Sequence, residues 1–82
     1  MTKDTSTVAT RTFDAQGLNC PLPIIKTKQI LSDMGSGETL EVISTDPGSV
    51  EDFQAFCRAT GHTLLEHGEG SGTFRYVIER RA

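Results

Sequence analysis

Apolar residues recur at helical spacing in two stretches of this chain and alternate, or cluster briefly, in four others. Ile24, Thr27, Leu31 and Met34 repeat along one face, with Ile30 on the flank. Lys26, Lys28 and Asp33 point elsewhere, so the spacing predicts a one-sided helix over residues 21–34. Val50, Phe53, Phe56 and Cys57 form a second stripe over residues 49–60, and Gly61 ends it. Residues 8–14 read as a first strand on their threonine content and Phe13. Leu40 and Val42 alternate with Thr39 and Glu41 in a second strand over 38–44, where Ile43 suggests burial on both faces near the end. Residues 63–67 form a third strand. Residues 73–80 form a fourth, with Phe74, Tyr76 and Ile78 on one face and Arg75, Val77 and Glu79 on the other.

The breaks between these stretches have local causes. Gly17 permits a sharp change of direction in the loop over 15–19. Gly35 suits the residue after a helix C-cap. Thr45-Asp46-Pro47-Gly48-Ser49 is a turn, and Asp46 or Ser49 is expected to cap the second helix. Asp52, three residues after Ser49, fits only a loose acidic capping box. Glu51 and Asp52 nevertheless place negative charge in a first turn, where the helix dipole favours it. Gly68-Glu69-Gly70-Ser71-Gly72 is expected to be a loose hairpin loop; it has no Lys-Ser/Thr ending and opens no helix, so it is no phosphate cradle. The order strand, helix, strand, helix, strand, strand implies an α+β fold: a two-layer α/β sandwich with both helices on one face of a mixed four-stranded sheet. Residues 1–7 are expected to be a frayed tail and residues 8–82 a single domain.

Charge and composition narrow the chemistry. The 82 residues carry a formal charge of −3, which argues against a phosphate-binding footprint over the whole surface and against direct nucleic-acid binding. There is no Trp, so a base-stacking platform is not expected. The polar start has no apolar h-region and no stretch reaches membrane-spanning length. A cytoplasmic setting is therefore expected, with both cysteines reduced. No long apolar stripe is left over, so a monomer is the expectation.

The candidate chemistry centres on Gly17-Leu18-Asn19-Cys20-Pro21-Leu22-Pro23-Ile24-Ile25. Proline lacks an N–H and fixes φ near the helical value, so it is tolerated in a helix's first turn. That places Pro21 at the first helical position and Cys20 at the N-cap. The partial positive charge of the helix start favours thiolate over thiol. The alternative, a small buried hydrophobe, is the ordinary fate of a free cysteine; position before a proline helix start weighs against it here. Leu18, Leu22 and Ile25 are candidates for an apolar docking patch around the sulfur, although core packing is the plainer reading, above all for Ile25.

The remaining candidates are weaker. Cys57 sits on an apolar stripe and reads as a core thiol, with a resolving cysteine for Cys20 as the alternative. Cys20, Cys57, His62 and His67 have no compact metal-ligand spacing, so no metal is expected. No Ser/His/Asp arrangement or carboxylate pair emerges, and no cofactor signature is present.

Asp14-Ala15-x-Gly17-Leu18-x-Cys20-Pro21-x-Pro23, the later Gly37-Glu38-Thr39-Leu40 and the turn Thr45-Asp46-Pro47 resemble the TusA/SirA-like sulfur carrier family over about residues 10–80. The pair Phe56-Cys57 also resembles some members. The resemblance implies a compact βαβαββ fold and a persulfide carried on Cys20, with Gly17, Asn19, Pro21 and Pro23 as its supporting motif. It implies a cysteine desulfurase or rhodanese as sulfur donor and a small sulfur-relay protein as acceptor, in tRNA thiolation or in sulfur oxidation. Such a carrier acts with partner enzymes and needs no acid/base pair of its own. Two other readings stay open: a non-catalytic regulatory or interaction module, and a thiol redox switch using Cys20 and Cys57.

Overall fold

The computed structural model describes residues 9–19 and 21–81. The expected tail over 1–7, Val8 and Cys20 lie outside the described residues. Six elements follow in the anticipated order: β1 (Arg11–Ala15), α1 (Leu22–Ser32), β2 (Thr39–Ser44), α2 (Ser49–Thr60), β3 (Thr63–Gly70) and β4 (Thr73–Glu79). The sheet runs β1-β2-β4-β3, with β1 parallel to β2 and the other two pairings antiparallel. A parallel neighbour requires a crossover, and α1 supplies it.

Alternation in β2 and β4 turns Leu40, Val42, Phe74, Tyr76 and Ile78 toward the helices, and all five are buried. Leu31, Met34, Phe53, Phe56 and Cys57 meet them from the other layer. Burying each large side chain contributes roughly 1.5–3 kcal/mol. Phe53 stacks on Tyr76 with centroids 4.5 Å apart. The opposite face of the sheet carries polar cross-strand contacts, where Arg75 donates to Glu41 and, at 3.3 Å, to Glu66. Val77 is nevertheless buried on that side and Ile43 half-buried.

Several boundaries differ from the expectation. β1 begins at Arg11 and continues to Ala15, whose register partner is Ser44. α1 stops at Ser32 because its end tightens: the Asp33 N–H donates to Ile30 O and Met34 N–H to Leu31 O, while the Ser32 hydroxyl donates to Gln29 O. Met34 still packs into the core from beyond the helix. β3 runs on through the glycines to Gly70. The expected loose loop is a two-residue turn in which Ser71 and Gly72 have φ of 55° and 80°, the geometry of a tight hairpin.

The second helix has the expected bounds but a different start. Gly48 occupies the N-cap, and no side chain caps the helix. Ser49 instead turns inward and shares a buried 2.7 Å hydrogen bond with the Tyr76 hydroxyl. Asp46 acts one step earlier, accepting from the Gly48 N–H through Oδ1 at 3.0 Å.

Candidate functional site

Register makes Ala15 and Ser44 partners at the ends of β1 and β2, so the loops leading to both helices emerge side by side. They are tied together. Gly17 N–H donates to the Thr45 hydroxyl at 3.0 Å, and Leu18 N–H donates back to Ala15 O at 3.1 Å. Gln16 N–H donates to Asp14 Oδ1. Gly17 adopts φ of 84°, a left-handed conformation that favours a residue without a Cβ. Thr45 was not legible as a support for the motif, because its contact spans 28 residues and leaves no local signature.

The loop delivers the chain to α1 through Asn19 and Pro21. Asn19 O accepts from Leu22 N–H at 2.9 Å, and Pro21 O accepts from Ile25 N–H at 3.1 Å. The N-cap is Pro21, with φ −98° and ψ 10°. That corrects the expected cap by one residue, from Cys20 to Pro21. Cys20 itself is outside the described residues. The supporting motif divides its work: Gly17 makes the bend, Asn19 closes the turn through its backbone, Pro21 opens the helix, and Pro23 is buried in the first turn.

Two prolines remove two amide donors from this helix start, and Leu22 N–H is engaged by Asn19. Ile24 carries the remaining first-turn N–H. No acidic residue lies in that first turn. The positive end of α1 is therefore not offset by a carboxylate of its own. Leu22 and Ile25 stand 44% and 45% exposed beside the motif. The expectation that Ile25 packs into the core is thus corrected: Thr27 and Leu31 take the buried positions, leaving Ile25 on the outer side. Leu18 is half-buried against the core.

Cys57 differs in every respect. It is 6% exposed in the core, and burial pushes its thiol up to about 11. It lies about 12 Å along α2 from Ser49, whereas it is the start of α2 that shares a sheet edge with the start of α1. A buried, protonated thiol is a poor nucleophile, which weighs against a resolving role. The two histidines are also dispersed. His62 packs beside Phe56 and accepts from Arg81 N–H through Nδ1, while His67 is exposed on β3. Among the described residues no cluster of His, Cys, Asp or Glu has a metal-holding arrangement, and no helix is long and apolar enough to cross a membrane.

Residues 11–80 match the family model described as sulfurtransferase TusA. The chain belongs to the sulfurtransferase TusA family. It is 54% identical over 68 residues to a sulfur carrier protein TusA of Allochromatium vinosum, covering 83% of this chain and 90% of the relative. A putative sulfur carrier protein of Neisseria meningitidis serogroup A is 47% identical over 70 residues, covering 85% and 95%. The crystal structure of the SirA-like protein from Desulfitobacterium hafniense superposes with a TM-score of 0.77 at 26% identity, covering 88% of this chain and 99% of that one. The α+β architecture read from the sequence is that of this TusA/SirA-like group.

Proposed function

We propose that this TusA-family chain is a sulfur carrier that holds sulfane sulfur as a persulfide on Cys20 and relays it between partner proteins. The observation that carries the reading is the start of α1: a proline-opened helix with no acid in its first turn, directly following a cysteine.

The chemistry needs no cofactor. The Cys20 thiolate attacks the terminal sulfur of a donor persulfide, a new S–S bond forms to Cys20, and the donor's own S–S bond breaks to release a donor thiolate. In the second transfer an acceptor thiolate attacks the terminal sulfur now on Cys20, and Cys20 leaves as thiolate. Both the nucleophile and the loaded persulfide are anionic, so the same unopposed helix field favours both states. Transfer requires the two sulfurs to meet, and exposed Leu22 and Ile25 provide apolar contact surface for a partner beside the motif. A cysteine desulfurase or rhodanese as donor and a small sulfur-relay protein as acceptor fit this chemistry, in tRNA thiolation or sulfur oxidation, with the carrier acting as a cytoplasmic monomer in a single domain over 8–82.

The test is intact-protein mass spectrometry after incubation with a persulfide donor carrying labelled sulfur. Wild type and Cys57→Ser are expected to gain one labelled sulfur atom, and Cys20→Ser none. Labelling retained in Cys20→Ser would remove Cys20 from the role. No labelling in any form, with the donor active on another acceptor, would favour the interaction-module reading.

A further inference from the structure

At the far end of the sheet from the motif, the C-terminal ends of α1 and α2 and the segment after β4 enclose a cleft of about 410 Å³. Lys28, His62, Arg80 and Arg81 line it, and no acidic residue does. We propose that this cleft binds a phosphate-class oxyanion. The proposal is independent of the sulfur chemistry at Cys20.

The first argument is that Arg80 and the backbone and stem of Arg81 are held in place. Arg80 donates from Nε to Leu31 O at 2.8 Å and from Nη1 to Arg81 O at 3.1 Å. Arg81 N–H donates to His62 Nδ1 at 3.1 Å, which leaves the proton of the neutral ring on Nε2. The Arg81 stem lies over Gly61, where a Cβ would come within 3.2 Å of Arg81 Cδ. Gly61 also has φ of 85°, so both the conformation and the close approach call for glycine. Arginine groups fixed before a ligand arrives lose less freedom on binding, and the guanidinium fork suits phosphate oxygens.

The second argument concerns charge. The plainer role for cations here is to offset the two helix C-termini. Each terminus carries about half a negative charge, so together with Asp33 at the α1 C-cap they supply roughly −2 against three positive side chains. Several carbonyls near those ends are engaged: Gln29, Ile30 and Leu31 in α1, and Phe56 and Cys57 in α2, each accept a hydrogen bond, that of Leu31 coming in part from Arg80 itself. The only side-chain ion pairs among the described residues belong to Arg75, so Lys28, Arg80 and Arg81 have no carboxylate partner there. A positive surplus faces an open cleft on a chain whose net charge is negative.

The test is an NMR titration of the full chain with inorganic phosphate, against chloride at matched ionic strength. The His62 ring and the Arg81 amide are expected to shift saturably with phosphate, with the exposed His67 ring unmoved. Lys28→Gln and Arg81→Gln are each expected to weaken the apparent affinity by about tenfold. Both changes leave the Arg81 backbone bond to His62 in place, and Lys28 is an exposed helix residue that tests the site if Arg81→Gln loses its fold. Titration with AMP distinguishes the source: tighter binding than phosphate assigns the site to a phosphate ester, and equal or weaker binding to the free ion. Identical shifts in phosphate and chloride, or an unchanged phosphate affinity in Lys28→Gln, would overturn the proposal.

Discussion

The two helices of this protein start at the same edge of the same sheet and treat their positive ends in opposite ways. α2 brings its own counter-charge, with Glu51 and Asp52 in the first turn, and anchors Ser49 to Tyr76 beneath it. α1 has no acid in its first turn and opens on Pro21 and Pro23. One start is closed electrostatically and fastened to the core. The other has no such counter-charge in its first turn, and the residue that precedes Pro21 in the sequence is a cysteine. The difference teaches that the charge a helix start presents depends on what its first turn omits as much as on what it contains.

That contrast can be broken at three points. The largest effect is expected from Tyr76→Phe, which leaves the Ser49 hydroxyl buried without its partner and destabilises the fold by about 1–3 kcal/mol in urea unfolding. Sulfur loading of Cys20 should survive, because the lost bond fastens only α2. Leu22→Asp makes the start of α1 resemble that of α2. It should add about 0.3–1 kcal/mol of stability while raising the Cys20 pKa by less than about one unit. The pH for half-maximal alkylation of Cys20 in a Cys57→Ser background reads that shift. A more stable protein with a less acidic thiol is the expected pair of results; a lower alkylation midpoint would break the electrostatic account. The smallest effect belongs to Glu51→Gln, a loss of a few tenths of a kcal/mol seen as a lower urea midpoint, with the Cys20 alkylation profile unmoved.

Elements held by local chemistry were legible in the sequence. α2 has the anticipated limits because Pro47-Gly48 and Gly61 bracket it, and Gly61 takes the left-handed C-cap. The core faces of β2 and β4 follow from simple alternation. β3 was read too short because nearly all of it is exposed on both faces, so its polar residues and glycines carry no period; cross-strand pairing with β4 holds it in place. Ser49 looked like a cap because serine is a good one, and only the sheet packed against α2 shows that its hydroxyl is used by Tyr76. At the site, the proline-opened helix was readable at once. The tie from Gly17 to Thr45 and the outward position of Ile25 depend on how distant segments meet.

β3 also bears on how the protein behaves when crowded. It lies at the border of the sheet, where a strand with unused backbone groups invites the same strand of another molecule and can seed aggregates. Here the register slips between Leu64 and Glu66, which interrupts the regular ladder that an incoming strand would copy. Glu66 and Glu69 then place like charges along the border. A sulfur carrier, which hands its cargo to partner proteins, gains from an edge that disfavours pairing with its own copies.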